Sequence, residues 1–388
     1  MTPRKPLIAL NMTTLNQGGI MQRAVSFIEN MPSLSNEFDW HLLISEKVQQ
    51  ELDQRNIPTT APKQVFKKSP ARNPAVRKKV IQAINKVSPD LVFTFGGPSY
   101  LQLTFPELMG VTEPWVTHGT REAYRSVPGW RNRWGLYLAA QYKLRWFRKA
   151  QHFIVQTTTA QRGLSRLTNR SGAPIHVIPN ALAPWYQCNE PATLRKPEEL
   201  LRIIYFAAPY SHKRHLCLPA ICKAIEELGE QNFEIAITID PTTLIAHQVA
   251  KSAEQLGVPN RIVNLGRIPV SDGLSVYQGA HICFVPSILE TFSATYLEGM
   301  ATRTPIVACD LDFARETCGD AAVYFDPVNM TDAAKKILNT ANSPDRCLEL
   351  TERGVQQLAT FPSTKNQMIL YRDVLRSTIN NLNYANPS

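Results

Sequence analysis

The sequence predicts an α/β protein made of two Rossmann-like, doubly wound domains in tandem, and three observations carry that prediction. Short apolar, β-rich runs alternate with helix-period stretches through almost all of the 388 residues. The alternation breaks once, over a polar, proline-bearing stretch at 180–199, and then restarts. A chain of this length holds two to three domains at roughly 150 residues each, enough for two separate cores.

Taken in order, residues 6–11, 40–45, 90–95, 114–118, 152–156 and 175–178 read as strands. Helices are expected between them at 20–30, 74–86, 131–149 and 158–167. The second of these begins most clearly, with Asn73 as cap and Pro74 at the first helical position, where a missing N–H is harmless. Beyond the break, strands are expected at 201–207, 233–239, 261–265, 281–286, 305–309 and 322–325. Their helices fall at 216–230, 243–256, 270–279, 294–301 and 331–340, and a last helix at 363–381. The domains are then 1–180, a linker at 181–200, 201–362, and a closing segment at 363–388. Ligands of such sheets sit at the carboxyl ends of the strands, so two facing sheets would place a substrate in the cleft between them.

Composition excludes other classes. Apolar residues at 44% and charged residues at 19% are ordinary for a globular chain and rule out a disordered or fibrous one. No run approaches the ~18 apolar residues that a spanning helix needs. The first ten residues show no secretory pattern, so a cytoplasmic protein is expected. The seven cysteines, Cys188, Cys217, Cys222, Cys283, Cys309, Cys318 and Cys347, are odd in number and lack Cys-x-x-Cys spacing. Reduced core thiols fit them better than a disulfide frame or a zinc site. Sequons at Asn11, Asn169 and Asn329 carry no weight without secretion.

Charge is uneven. Residues 1–190 hold 24 Lys+Arg against 11 Asp+Glu, a balance of +13; the remainder holds 18 against 21, a balance of −3, giving +10 in all. A basic front half and a near-neutral back half suggest different partners.

The most specific stretch is PSILETFSATYLE at 286–298, after the apolar run HICFV. Glu290 falls on the loop leaving that strand, and Glu298 about one turn into the next helix. Ser293 is a good cap, leaving the amides of Ala294 and Thr295 at a helix start, which attracts phosphate through free N–H groups and the helix dipole. Two carboxylates flanking an anion site suit hydroxyl recognition, one on a sugar and one on a ribose. Spacing alone equally allows Glu298 as a solvated helix residue and Glu290 as an ordinary helix-start acid.

Here the residues resemble a known family. Glu290 and Glu298, separated by seven residues on a strand–loop–helix and followed by TPIVACDLDFARETCGDAAVYFDP, resemble the signature of the retaining GT-B glycosyltransferases of family 4. Gly18-Gly19 after the first strand, His118 ending PWVTH, and VIPNAL at 177–182 extend the likeness to the front half. The resemblance implies the GT-B fold, a UDP- or GDP-linked sugar donor held mainly by the second domain, and a glycan or lipid-linked acceptor held by the first. It also implies a final helix crossing back onto the first domain, and no required cofactor.

Carried over by position, Glu298 binds the donor ribose, Glu290 contacts the sugar, and the amides along Phe292, Ser293, Ala294 and Thr295 take the diphosphate. Lys213 in YSHKRH is similar to the family's phosphate lysine. Gly18 and Gly19 let the backbone approach the diphosphate or sugar, His118 faces the reactive carbon, and Gly266 to Ile268 holds the base. The sequence departs from the pattern at Ala208, where an arginine is usual, at Arg303, where a glycine is usual, and at Thr291 to Ser293. His212 or Arg214 is the candidate for the missing positive charge.

Two further features stand apart. Asp310-Leu311-Asp312 has the spacing of a cation-binding pair, although a strand-end turn explains it. Residues 121–170 hold eleven Lys/Arg and one acid, Glu122, interleaved with Trp130, Trp134, Trp146 and Phe147. Such a helix suits an anionic membrane surface; the alternative is a helix burying Trp134, Leu138 and Tyr142 on the sheet with its cations solvated. No nucleic-acid motif accompanies the charge. A sugar-nucleotide epimerase of the same architecture, or a non-catalytic nucleotide-sugar binder, also fits the sequence.

Overall fold

The computed structural model describes residues 4–16, 18–168, 173–186, 192–196 and 198–385. Cys188, the Asn169 sequon, and Pro191 and Pro197 of the expected linker lie outside the described residues. The chain divides into two compact units, one of residues 1–119, 130–180 and 363–388, the other of 120–129 and 181–362.

The first unit carries a seven-stranded sheet in the order β3-β2-β1-β4-β5-β6-β7, parallel throughout. Its strands are β1 (Leu7–Met12), β2 (Asp39–Ser45), β3 (Lys63–Phe66), β4 (Leu91–Thr94), β5 (Glu107–Gly110), β6 (His152–Val155) and β7 (Ile175–Val177). The central strands are buried on both faces, as parallel strands covered by helices must be, which is why they read as continuous apolar runs. The second unit repeats the plan with six parallel strands in the order β10-β9-β8-β11-β12-β13. These are β8 (Leu201–Tyr205), β9 (Phe233–Ile237), β10 (Ile262–Asn264), β11 (Ile282–Val285), β12 (Ile306–Cys309) and β13 (Ala322–Phe325).

One expected strand is a helix. Residues 114–118 form the helical turn Pro114–Thr117, because Pro114 opens it with its fixed φ and needs no donor there. The strand that fills the sheet is β5, whose four residues escaped notice because a glutamate heads them. That glutamate, Glu107, is buried and accepts a hydrogen bond from the Thr94 hydroxyl at 2.6 Å. The helices Glu46–Gln54, Asp312–Cys318 and Pro344–Leu358 were also not foreseen.

The helix Thr364–Ala385 belongs to the first unit, and its buried residues Met368, Tyr371, Leu375 and Ile379 recur at the spacing of a single helix face. Tyr371 meets Phe27 edge-on at 5.1 Å, inside a cluster with Phe93 and Phe95. The six described cysteines are free and five of them are buried. Two of the sequon asparagines serve structure. Asn329 caps the helix Met330–Ala341, and buried Asn11 bonds Thr94 at 3.1 Å.

Of the two readings of the basic helix Trp130–Phe147, the one that buries Trp134, Leu138 and Tyr142 on the sheet does not hold. The buried residues of this helix are Ala140, Leu144 and Phe147, on a neighbouring face, while Trp134 is 59% and Leu138 61% exposed. Among the described residues no helix is long and apolar enough to cross a membrane.

Candidate active site

In the second sheet β8 is flanked by β9 on one side and β11 on the other, so the winding direction reverses between β8 and β11. Ligands of open parallel sheets bind beyond the carboxyl ends of the strands at such a reversal. The loops leaving these two strands carry Lys213 and Glu290. They are fastened together: the Ile288 N–H donates to the His212 carbonyl at 2.9 Å, and the Thr295 hydroxyl to the Phe206 carbonyl at 3.1 Å. The Tyr205 hydroxyl, at the end of β8, donates to the Lys213 carbonyl at 2.7 Å and lies 3.3 Å from Ser287 Oγ.

Within this frame the Lys213 ammonium forms an ion pair with Glu290 Oε1 and donates to Ser293 Oγ at 3.2 Å. The two charged side chains are only 12% and 7% exposed. Ser293 was expected to cap its helix, and the structure corrects this. It stands at the N-cap of Ala294–Ala301, but its side chain makes no capping bond, because the ammonium occupies its oxygen and a charged donor is the stronger partner. The helix therefore begins without its usual side-chain partner and with Ala294 exposed, a tip suited to an anion.

Glu298 lies on the buried side of the same helix and is 7% exposed. It accepts a hydrogen bond from the Tyr277 hydroxyl at 2.9 Å. Burial pushes its carboxyl up to about 7, against the opposing pull of that bond and of the Lys213 charge. Near neutral pH the group is thus divided between a form that only accepts and one that also donates, and both suit a hydroxyl ligand. Tyr277 packs edge-on against Tyr186 at 5.9 Å, and a Cβ on Gly273 would fall 2.2 Å from the Tyr186 hydroxyl, so glycine is required there.

Of the two candidates for the missing cation, the Arg214 guanidinium donates to the Pro327 carbonyl at 2.7 Å, and burial holds His212 down at about 4, neutral at physiological pH. Lys213 is the cation of this loop that meets Glu290 and Ser293. Arg303 sits at φ 52, the left-handed conformation that explains why glycine is usual at this turn. Phe292 packs edge-on against Phe361 at 5.9 Å. Gly266 and Ile268 follow β10, the edge strand; Gly266 has φ 76 and donates its N–H to Asn264 Oδ1 at 3.1 Å. Asp310 is spent on Arg315, which grips it through two nitrogens, and no group of three or more metal-ligating residues occurs among the described residues.

The first unit places its glycines in the matching position. Its reversal falls between β1 and β4, and Gly18 lies on the loop leaving β1. Gly18 caps the helix Gly19–Asn30 at φ 81 and ψ −174, a region open essentially to glycine alone, whereas a Cβ at Gly19 would meet open space. Thr14 joins this loop to the one after β4 by donating to the Gly96 carbonyl at 3.0 Å. His118 ends the helical turn after β5 rather than a strand, with its Nδ1 2.7 Å from the Thr117 hydroxyl. Sequence reasoning missed Tyr205 and Tyr277, since a tyrosine in an apolar strand or helix reads simply as core.

Comparison with known proteins bears on the fold and on the segment that holds the paired acids. Residues 243–357 match the family model of the glycosyl transferases group 1. A D-inositol 3-phosphate glycosyltransferase of Corynebacterium urealyticum is 25% identical over 171 residues, 41% of this chain and 40% of its own length. The chain thus matches less than half the length of that relative. A glycosyltransferase structure from Rickettsia africae superposes with a TM-score of 0.71 at 17% identity, covering 97% of this chain and 99% of that one. Anabaena HepE, solved in complex with UDP and glucose, superposes at 0.69 and 14% identity, covering 96% and 100%. The segment that carries Glu290 and Glu298 is thus similar to the glycosyl transferases group 1, and the chain has the GT-B fold of these solved structures.

Proposed function

We propose that the protein transfers a hexosyl unit from a UDP- or GDP-linked sugar to a hydroxyl of a glycan or lipid-linked acceptor, with retention of the anomeric configuration. The observation that carries this reading is the Lys213 ammonium held between Glu290 and Ser293 at an uncapped helix tip, with Glu298 buried eight positions further on. As the donor bond breaks, negative charge grows on the diphosphate, and a fixed cation beside a positive helix end stabilises it. Diphosphate binding then exchanges the Glu290 carboxylate for phosphate at Lys213, freeing Glu290 to hold a sugar hydroxyl and favour the cationic ring. Glu298 grips the ribose, and the loop with Gly266 and Ile268 holds the base.

In this reading Lys213 and the helix tip neutralise the leaving group without a metal ion. The roles of Gly18, Gly19 and His118 toward the sugar are those the family resemblance implies, as is retention. Anabaena HepE, a fold neighbour, binds UDP and glucose, which supports a uridine nucleotide as the first donor to try. The reading further places the protein in the cytoplasm, peripheral on the inner face of a membrane, in polysaccharide or glycolipid assembly.

A thermal-shift panel of UDP-, GDP- and ADP-sugars tests it. A true donor present at a hundred times its dissociation constant stabilises by about 2.7 kcal/mol, well above the background of the panel. Stabilisation by none of the three, or by a donor equally in the Lys213→Ala variant, would overturn the site.

A further inference from the structure

An amphipathic helix of a folded domain ordinarily buries an apolar stripe, yet the first ten residues of Trp130–Phe147 bury nothing. Trp130 is 66%, Trp134 59% and Leu138 61% exposed, and their spacing of four places them in one stripe along the helix. Tyr137, 43% exposed, packs edge-on against Trp134 at 5.9 Å. Exposed Arg131 and Arg145 lie on the same side by helical phase, and the Arg131 guanidinium sits 5.4 Å from the Trp130 ring. The buried residues Ala140, Leu144 and Phe147 lie on a neighbouring face, about a third of a turn round the helix from that stripe, and all fall in the second half, which anchors the helix.

We infer that the first half of this helix, through Trp130, Trp134 and Leu138 flanked by Arg131 and Arg145, is a docking face for an anionic lipid bilayer. Charge complementarity selects this occupant. Tryptophan rings favour the headgroup level, arginines meet lipid phosphates, and the front half of the chain carries a balance of +13. A second copy of the same face would set arginine against arginine, and a nucleic acid would leave Leu138 without a partner. The inference rests on the peripheral-membrane part of the proposed function, but vesicle binding and donor binding fail separately.

The test is flotation of the full chain with vesicles of phosphatidylcholine alone and of phosphatidylcholine with phosphatidylglycerol, at low and high salt. The expected result is binding to the anionic vesicles, weakened by salt, with a blue shift of tryptophan emission. The triple variant Trp130→Ser, Trp134→Ser, Leu138→Ser is expected to lose binding at least roughly tenfold. Arg131→Gln with Arg145→Gln is expected to lose roughly fivefold per charge and to flatten the salt dependence. Both variants alter exposed side chains only, so the thermal midpoint and the donor-induced shift stay as in the wild type. Equal vesicle binding by wild type and triple variant, or no binding at low salt, would overturn the inference. So would a concentration-dependent dimer, or a DNA or RNA complex, that the triple variant abolishes in the absence of vesicle binding.

Discussion

The loop and helix tip at 286–298 and the first half of the helix Trp130–Phe147 both break the usual partition of residues, in opposite senses. In the first, two glutamates, a lysine and a serine are withdrawn from water. In the second, two tryptophans and a leucine are left in it. Burying charge costs several kcal/mol per ion unless it is paired, and large exposed apolar patches are rare on soluble domains. Each arrangement thus forgoes stability that a more ordinary sequence would keep. Polarity in an unusual place, judged against the surrounding fold, is what each of the two functional proposals for this protein rests on.

The strongest way to break this comparison is at the buried ion pair. Lys213→Ala or Glu290→Ala is expected to lower donor turnover about a hundred- to a thousandfold, read in a coupled nucleotide-release assay. Each single variant also leaves one charge unpaired in a nearly dry site and lowers the unfolding midpoint. Joining Lys213→Met to Glu290→Gln restores much of that stability but none of the rate, which separates a functional pair from a structural one. If the double variant turns over like the wild type, the pair is structural.

A second test concerns the other buried carboxylate. Burial pushes Glu107 up to about 7, partly offset by hydrogen bonds from Thr94 and Ser99. Below the ordinary value of 4.5 both the folded and unfolded states hold the proton; between 4.5 and about 7 only the folded state does. Stability therefore falls as pH rises through that window, by up to about 3 kcal/mol from this group. Neutral His212 and His215, both held at about 4, act in the opposite sense as pH falls below 6.5, so the wild-type profile mixes the two. The difference between Glu107→Gln and wild type isolates the carboxylate, and it should move in favour of the variant as pH rises from 4.5 to 7 by calorimetry. A flat difference would show that Glu107 is not held protonated.

The third effect is smaller. Tyr277→Phe removes the hydroxyl that bonds Glu298 and is expected to cost about 1–2 kcal/mol while raising the Glu298 pKa further. The loss is read by denaturant titration, and an unchanged unfolding free energy would show that this bond contributes nothing. A further test is the contrast between neighbouring glycines. Gly18→Ala forces an alanine to φ 81 and costs about 1–3 kcal/mol. Gly19→Ala meets open space and stays within about 0.5 kcal/mol in a denaturant titration. Equal effects would mean that the Gly18 conformation is not required.

Much of the site was legible from spacing. Glu290, Ser293 and Glu298 on a strand–loop–helix, and a glycine pair after the first strand, are local patterns, and local patterns survive in one dimension. The capping role of Ser293 was misread because a hydroxyl beside a helix start has a default partner, and the competing ammonium comes from Lys213, eighty residues away. The strand expected at 114–118 failed for a local reason that was available, namely Pro114 at a helix start. The face of the basic helix stayed open in the sequence because its apolar residues run almost all the way round it, and nothing in periodicity says which of them meets a sheet.

The sequence by itself determined two parallel sheets, their alternation of strands and helices, and the position of the paired acids, because hydrophobic period and turn chemistry act between near neighbours. The tertiary structure alone decided which loops lie side by side at the strand-order reversals. It also decided which cation meets which carboxylate, that two tyrosines support the site, and which side of the basic helix stays bare. Those outcomes depend on strand order and on competition among partners far apart in the chain. Both are settled only when burial and hydrogen bonding are satisfied everywhere at once.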